Sequence, residues 1–231
     1  FEERLIFKAD DRESLIVNGR RYHGCLEVIR KGSSVTLVNY VELEDYIKGI
    51  AVREISHYWP ADVLRAHAVV FRTYALYAMK QNRAKDFDVT SDVYSQVYGG
   101  SSAQRYRITD AVDETRGDVL TFNGRVFPAY FHSTCGGRTE DASVLWDIDI
   151  PPLKGVDCFY CNKSPHYSWN SAFSAVKMIS KLRKSGIGLP GSFLGIEGNG
   201  RDASGRLTEL VVNMSGGTVR VKAKDFRNIL G

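Results

Sequence analysis

Glu54 stands where a free carboxylate is costly. Leu43, Ile47, Ile50 and Glu54 are spaced four, three and four residues apart, so on a helix the acid prolongs an apolar stripe. Burial disfavours the charged carboxylate and raises its proton affinity, which suits a general acid. Arg72 repeats the pattern, four residues after Ala68 and four before Leu76. The spacing is compatible with two arrangements. One is a buried Glu54–Arg72 ion pair joining two helices; the other is a catalytic Glu54 with Arg72 nearby to bind substrate.

A second group is built from thiols and imidazoles. His132-Ser-Thr-Cys135-Gly-Gly is followed by Cys158-Phe-Tyr-Cys161 and then His166. These residues can supply a tetrahedral zinc site from His132, Cys135, Cys158 and Cys161, with His166 as the rival fourth ligand. Such a zinc would be structural, because binding energy becomes folding energy. A disulfide from Cys135 to Cys158 or Cys161, or free thiols, would use the same residues. A redox C-x-x-C should open a helix in a βαβ unit, a pattern that Cys158 does not show. Cys25 lies in a strand pattern and reads as simply buried.

Tyr94, Gln96 and Tyr98 lie in a Gly-ended loop, where aromatic faces and an amide can line a carbohydrate groove and bind substrate. Turn packing is the plainer reading of the same three residues. Asp141, Asp147 and Asp149 are candidates for the second carboxylate that glycoside hydrolysis usually needs, or are merely solvated. His57 and His67 lack ligand spacing and read as structural. There is no Gly-rich phosphate loop, no G-x-S-x-G and no H-E-x-x-H.

The elements that position these residues change character along the chain. Leu5 to Val41 reads as short strands, with a hairpin signal at Asn18-Gly19. A helix over Leu43 to Ala51 follows. A second runs from Pro60, a good first helical residue, to about Arg83. A shorter helix is expected over Ser102 to Thr115, ending at Gly117. Strands are expected at Val119–Phe122 and Val126–Phe131 around Asn123-Gly124. Residues 133–169 read as a long irregular segment, then a helix over Ala172 to Lys184. A β-meander and a short helix close the chain. The class is α+β, read as one region with parts 1–41, 42–169 and 170–231.

The 231 residues, 43% hydrophobic and 25% charged, are globular in composition and exclude a disordered tail or a disulfide mini-protein. The net charge, 31 − 27 = +4, is scattered without a basic block, which argues against a nucleic-acid partner. No apolar run approaches the length of a membrane span. Phe1-Glu2-Glu3-Arg4 has neither an apolar stretch nor a small-residue cleavage site, so it is not a signal peptide. Phe1 in place of Met reads as a trimmed or processed start, with room for a membrane anchor ahead of it.

Several ordered motifs together resemble a known family. They are Leu43-Glu44-Asp45-Tyr46-Ile47-Lys48-Gly49-Ile50, Glu54, Trp59-Pro60, Leu64-Arg65-Ala66-His67-Ala68 and Arg72-Thr73-Tyr74-Ala75. Ser95-Gln96-Val97-Tyr98-Gly99-Gly100, Ala111 to Gly117 and Cys135-Gly136-Gly137-Arg138-Thr139-Glu140 continue the series. From about Val35 to Trp169 the chain resembles the stage II sporulation protein D family, which includes amidase-enhancer proteins. The resemblance implies an extracytoplasmic lytic transglycosylase. Such an enzyme cleaves MurNAc–GlcNAc β-1,4 bonds of peptidoglycan glycan strands already stripped of stem peptides. It implies Glu54 as the acid, and zinc bound near the Gly-Gly motif through His132 and Cys135. It also implies a cell-wall amidase as a partner, with non-catalytic enhancement of that amidase as the alternative role. The chain departs from the family pattern at Ile55-Ser56, where Met-Pro is common, and at Arg138, where His is frequent.

Overall fold

The structure, a computed structural model, describes residues 2–10, 14–146 and 148–231, so Asp147 lies outside the described residues. The chain forms two compact units, one up to Phe131 and the other from His132. The division falls inside the stretch 42–169. Helices and antiparallel sheets segregate along the sequence, as an α+β chain should.

The first unit begins with β1 (Glu2–Lys8), β2 (Leu15–Val17), β3 (Arg20–Tyr22), β4 (Cys25–Lys31) and β5 (Ser34–Tyr40). β1, β4 and β5 form one antiparallel sheet, with Leu5 opposite Val28 and Val28 opposite Leu37. β2 and β3 form a hairpin. Its turn needs positive φ at both central residues, and Asn18 (50°) and Gly19 (74°) supply it. Three helices follow: α1 (Leu43–Glu54), α2 (Ala61–Gln81) and α3 (Tyr106–Glu114). Their apolar faces meet in one core around Ile47, Ile50, Phe71, Ile108 and Val112.

Two expectations shorten in this unit. Residues 101–103 form a 3-10 turn and Arg105 is extended, so α3 starts four residues later than expected. Ser102 is taken up elsewhere, its hydroxyl accepting from the Arg21 N–H at 3.0 Å. The strands around Asn123-Gly124 are only β6 (Thr121–Phe122) and β7 (Arg125–Val126). Pro128, which has no N–H to donate, sits just beyond.

The second unit opens with the segment expected to be irregular. It contains α4 (Ala142–Trp146), two 3-10 turns and a bridge between Arg138 and Asp157. Next comes α5 (Ala175–Lys184), which starts at Ser174 because that side chain accepts from the Lys177 N–H. β8 (Phe193–Arg201), β9 (Leu207–Met214) and β10 (Gly217–Lys222) form the expected meander, followed by α6 (Ala223–Leu230). Met178, Leu182, Val212, Met214 and Leu230 are the centre of its core.

Candidate functional site

Glu54 is the last residue of α1, half-buried, and followed by an extended Ile55 that leaves the helix. Its Oε1 accepts a hydrogen bond from the backbone N–H of Val97 at 2.9 Å. None of the described residues donates to Oε2. The result is a carboxyl group held by one oxygen and open at the other.

The Val97 N–H is aimed by a strongly braced loop. Thr90 and Ser95 hydroxyls bond each other at 3.0 Å, and the Asp92 carboxylate accepts from the Tyr94 N–H at 2.9 Å. Gln96 is 1% exposed; its Oε1 accepts from Tyr46 Oη at 3.1 Å and its Nε2 donates to Phe71 O at 3.4 Å. Tyr98 is buried against Tyr46, with ring centroids 5.2 Å apart, and lies over Gly49. A Cβ on Gly49 would come within 2.4 Å of the Tyr98 ring. The Gly99 N–H then donates to Gly49 O at 3.1 Å. Of the three loop residues expected to bind sugar, Gln96 and Tyr98 are therefore packing groups. Tyr94, 87% exposed, is the one at the surface.

Arg72 also differs from expectation. It does not pair with Glu54 and does not face solvent. It is 1% exposed and grips Glu44 with two hydrogen bonds, Nε to Oε1 at 2.9 Å and Nη2 to Oε2 at 2.7 Å. Its remaining donors reach Asp118 O at 2.9 Å and Val112 O at 3.2 Å. With four of its five N–H groups committed inside the protein and the side chain buried, the guanidinium braces α1, α2 and the end of α3 rather than a substrate.

The chain leaving Glu54 is held from α3. Arg107 donates to His57 O at 2.8 Å and to Trp59 O at 3.0 Å, so the turn before α2 is fixed at both ends. His67 belongs to an aromatic row with Trp59, Phe71 and Phe131, which agrees with a structural role. Tyr58, 79% exposed, protrudes from the turn. A cleft of about 750 Å³ lies between β5 and residues 85–92; Tyr46 and Tyr98 are in its walls and Glu54 is not. Glu44, the Val97 amide and Arg107 escape sequence reasoning. A backbone donor has no residue signature, and Glu44 looks like an ordinary first-turn acid.

In the second unit Cys135, Cys158 and Cys161 converge, with all three sulfurs within 4.8 Å of one another. Cys161 Sγ lies 3.5 Å from Cys135 Sγ and 3.7 Å from Cys158 Sγ. Two thiolates on a tetrahedral zinc, at Zn–S of about 2.3 Å, stand about 3.8 Å apart, so the spacing fits a metal vertex set. No disulfide joins the cysteines. Neither His132 nor His166 joins the cluster, which corrects the expected imidazole ligand. Desolvation, then the nearby Arg206 charge, lowers the His132 pKa although the residue is exposed. Burial raises the Cys135 thiol pKa, whereas backbone hydrogen bonding at Tyr160 lowers that of Cys158. The cluster is tied down by Arg206, which donates to Cys135 O at 2.6 Å, and by the Cys158 N–H, which donates to Gly137 O at 2.8 Å.

The acids considered as second carboxylates are engaged locally. Asp141 accepts from Ser143 and Lys154, which push its pKa down to about 2. Asp149 pairs with the same Lys154 at 2.6 Å. Cys25 is half-buried in β4, in keeping with a packing role.

Residues 31–122 match the family described as Stage II sporulation protein. The whole chain is 32% identical to an uncharacterized protein of Brachyspira hyodysenteriae, covering 61% of it. Stage II sporulation protein D of Bacillus subtilis is 31% identical over 84% of the chain and 59% of that protein. An amidase enhancer of Bacillus subtilis is 29% identical over 58% of the chain and 18% of its own length. The chain thus spans about three fifths of the length of the first two relatives. Residues 31–122 thus match the stage II sporulation protein family, and over most of its length the chain is similar to Stage II sporulation protein D.

Proposed function

We propose that the protein acts on the bacterial cell wall as a peptidoglycan lytic transglycosylase, with Glu54 as its single acid and base. One observation carries the reading: a half-buried carboxyl group with Oε1 fixed by the Val97 N–H and Oε2 open. Hydrolysis usually needs two carboxylates, one of them to activate water or attack the sugar. Intramolecular transfer needs one. Glu54 gives its proton to the glycosidic oxygen, and the C1–O4 bond breaks with its electron pair going to O4. The Glu54 carboxylate then takes the proton of the MurNAc 6-hydroxyl as O6 closes on C1. A 1,6-anhydro-MurNAc end forms, no water is consumed, and the acid is restored. Exposed Tyr94 is the proposed sugar-binding aromatic. Peptide-stripped strands are the proposed substrate, and their location makes the protein extracytoplasmic.

Zinc held by Cys135, Cys158 and Cys161 would staple the loop of the second unit, supplying folding energy rather than chemistry. The similarity to an amidase enhancer supports a second reading, in which the chain binds glycan strands and stimulates a cell-wall amidase without cutting. A digest of purified glycan strands, with and without stem peptides, separates the two by mass spectrometry of the ends. Anhydro ends made by the wild type and not by Glu54→Gln are the expected result. Reducing ends would mean hydrolysis, and binding without new ends would favour the enhancer.

A further inference from the structure

Three consecutive stretches of one loop touch α1 at three places. Gln96 meets Tyr46, the Val97 N–H meets Glu54, and Tyr98-Gly99 meets Gly49. Tyr46 and Glu54 are eight residues apart, about 12 Å of helix, so the contacted residues span more than two turns of α1. Gln96 is the only one of these whose polar side chain is fully buried, and it is bonded on both sides. Tyr46 Oη, on α1, donates to its Oε1; its Nε2 donates to Phe71 O, on α2. A buried amide without partners costs free energy, so these two bonds fix the loop against both helices. The next peptide group is the one that holds Glu54.

Resting on the reading of Glu54 as the acid, we propose that Gln96 is a positioning residue for it. The Gln96 amide sets the Val97 N–H on Oε1 and leaves the transferable proton to Oε2. Tyr46 interacts electrostatically with Glu54, Tyr74 and Tyr98. All three tyrosines have raised pKa values, chiefly through burial.

The test is a ¹³C NMR titration of glutamate carboxyl carbons in the intact chain, with Glu54 assigned from the resonance missing in Glu54→Gln. An N–H donor favours the carboxylate, so its displacement raises the midpoint. Gln96→Leu should move Glu54 up by about half a pH unit or more. It should also lower the rate of anhydro-end formation about tenfold or more, with the high-pH limb of the rate profile, where the general acid loses its proton, moving in the same direction. Tyr46→Phe, which removes one hydroxyl, should give a smaller shift of the same sign and decides the matter should Gln96→Leu not fold. An unchanged Glu54 midpoint in a folded Gln96→Leu, or in Tyr46→Phe where that variant decides, overturns the proposal. Full activity of Glu54→Gln would instead overturn the catalytic reading, leaving the midpoint comparison to report on the hydrogen bond alone.

Discussion

Arg72 grips Glu44, not Glu54, through two hydrogen bonds of 2.9 and 2.7 Å, and that choice separates the framework of the first unit from its chemistry. The pair is desolvated, the arginine almost completely, so removing one partner leaves a buried charge without compensation. Arg72→Leu should destabilise the chain by about 3–5 kcal/mol, measured by denaturant unfolding. Adding Glu44→Leu should recover part of that loss, because the orphaned carboxylate goes with it. Weaker glycan affinity at unchanged stability would return Arg72 to a substrate-binding role.

Glu54→Gln keeps the shape of the side chain and can still accept the Val97 N–H through its amide oxygen. Its thermal midpoint should stay close to wild type while anhydro-end formation falls at least about 10²-fold, the usual scale of a general acid. Glycan binding, measured by co-sedimentation, should persist.

Gly49 is needed for the approach of Tyr98. In Gly49→Ala the new methyl meets the ring, at a cost of about 1–3 kcal/mol for overpacking, partly offset by about 1 kcal/mol of helix propensity. Displacing the ring also displaces the loop, so activity should fall more than stability. Equal activity at reduced stability would show that the loop adjusts.

The three thiols should bind zinc at one ion per chain, read by elemental analysis of the purified protein. Chelation should lower the melting temperature, and Cys161→Ser should lose both the metal and the chelator response. An undiminished melting transition after metal removal would deny the cluster a structural role.

Asp141 offers a pH prediction whose sign is settled by its partners. Its pKa is held down to about 2 from 3.8 by hydrogen bonds from Ser143 and the Lys154 ammonium. A depressed folded-state value stabilises above the unfolded pKa, and that contribution is lost as pH falls from about 4 to about 2. Asp141→Asn should remove that part of the acid destabilisation, seen as a flatter melting temperature over the same interval.

How much of this was legible beforehand depends on the kind of information. The stripe Leu43–Ile47–Ile50 placed α1 and put Glu54 at its end, because helical period and burial are local to the chain. Asn18-Gly19 marked its hairpin for the same reason. The C-x2-C pair with Cys135 indicated a metal cluster. His132, equally suggestive in spacing, lies outside it. Arg72 was read as a partner for Glu54 because periodicity shows which residues face inward and not which inward residues meet. For Gln96 and Tyr98 the sequence leaves groove lining and turn packing both open, because a turn-rich loop gives no sign that it packs against a helix.

The sequence by itself determined the order of elements, the α+β class, the resemblance to the stage II sporulation protein D family and the carboxylate on an apolar face, since each follows from short-range pattern or ordered motifs. Only the tertiary structure decided which acid Arg72 would take, which sulfurs converge, and that a backbone N–H from a loop 43 residues further along would hold Glu54. Those outcomes depend on contacts between distant segments. They are set by where buried donors find acceptors, and no local pattern records that.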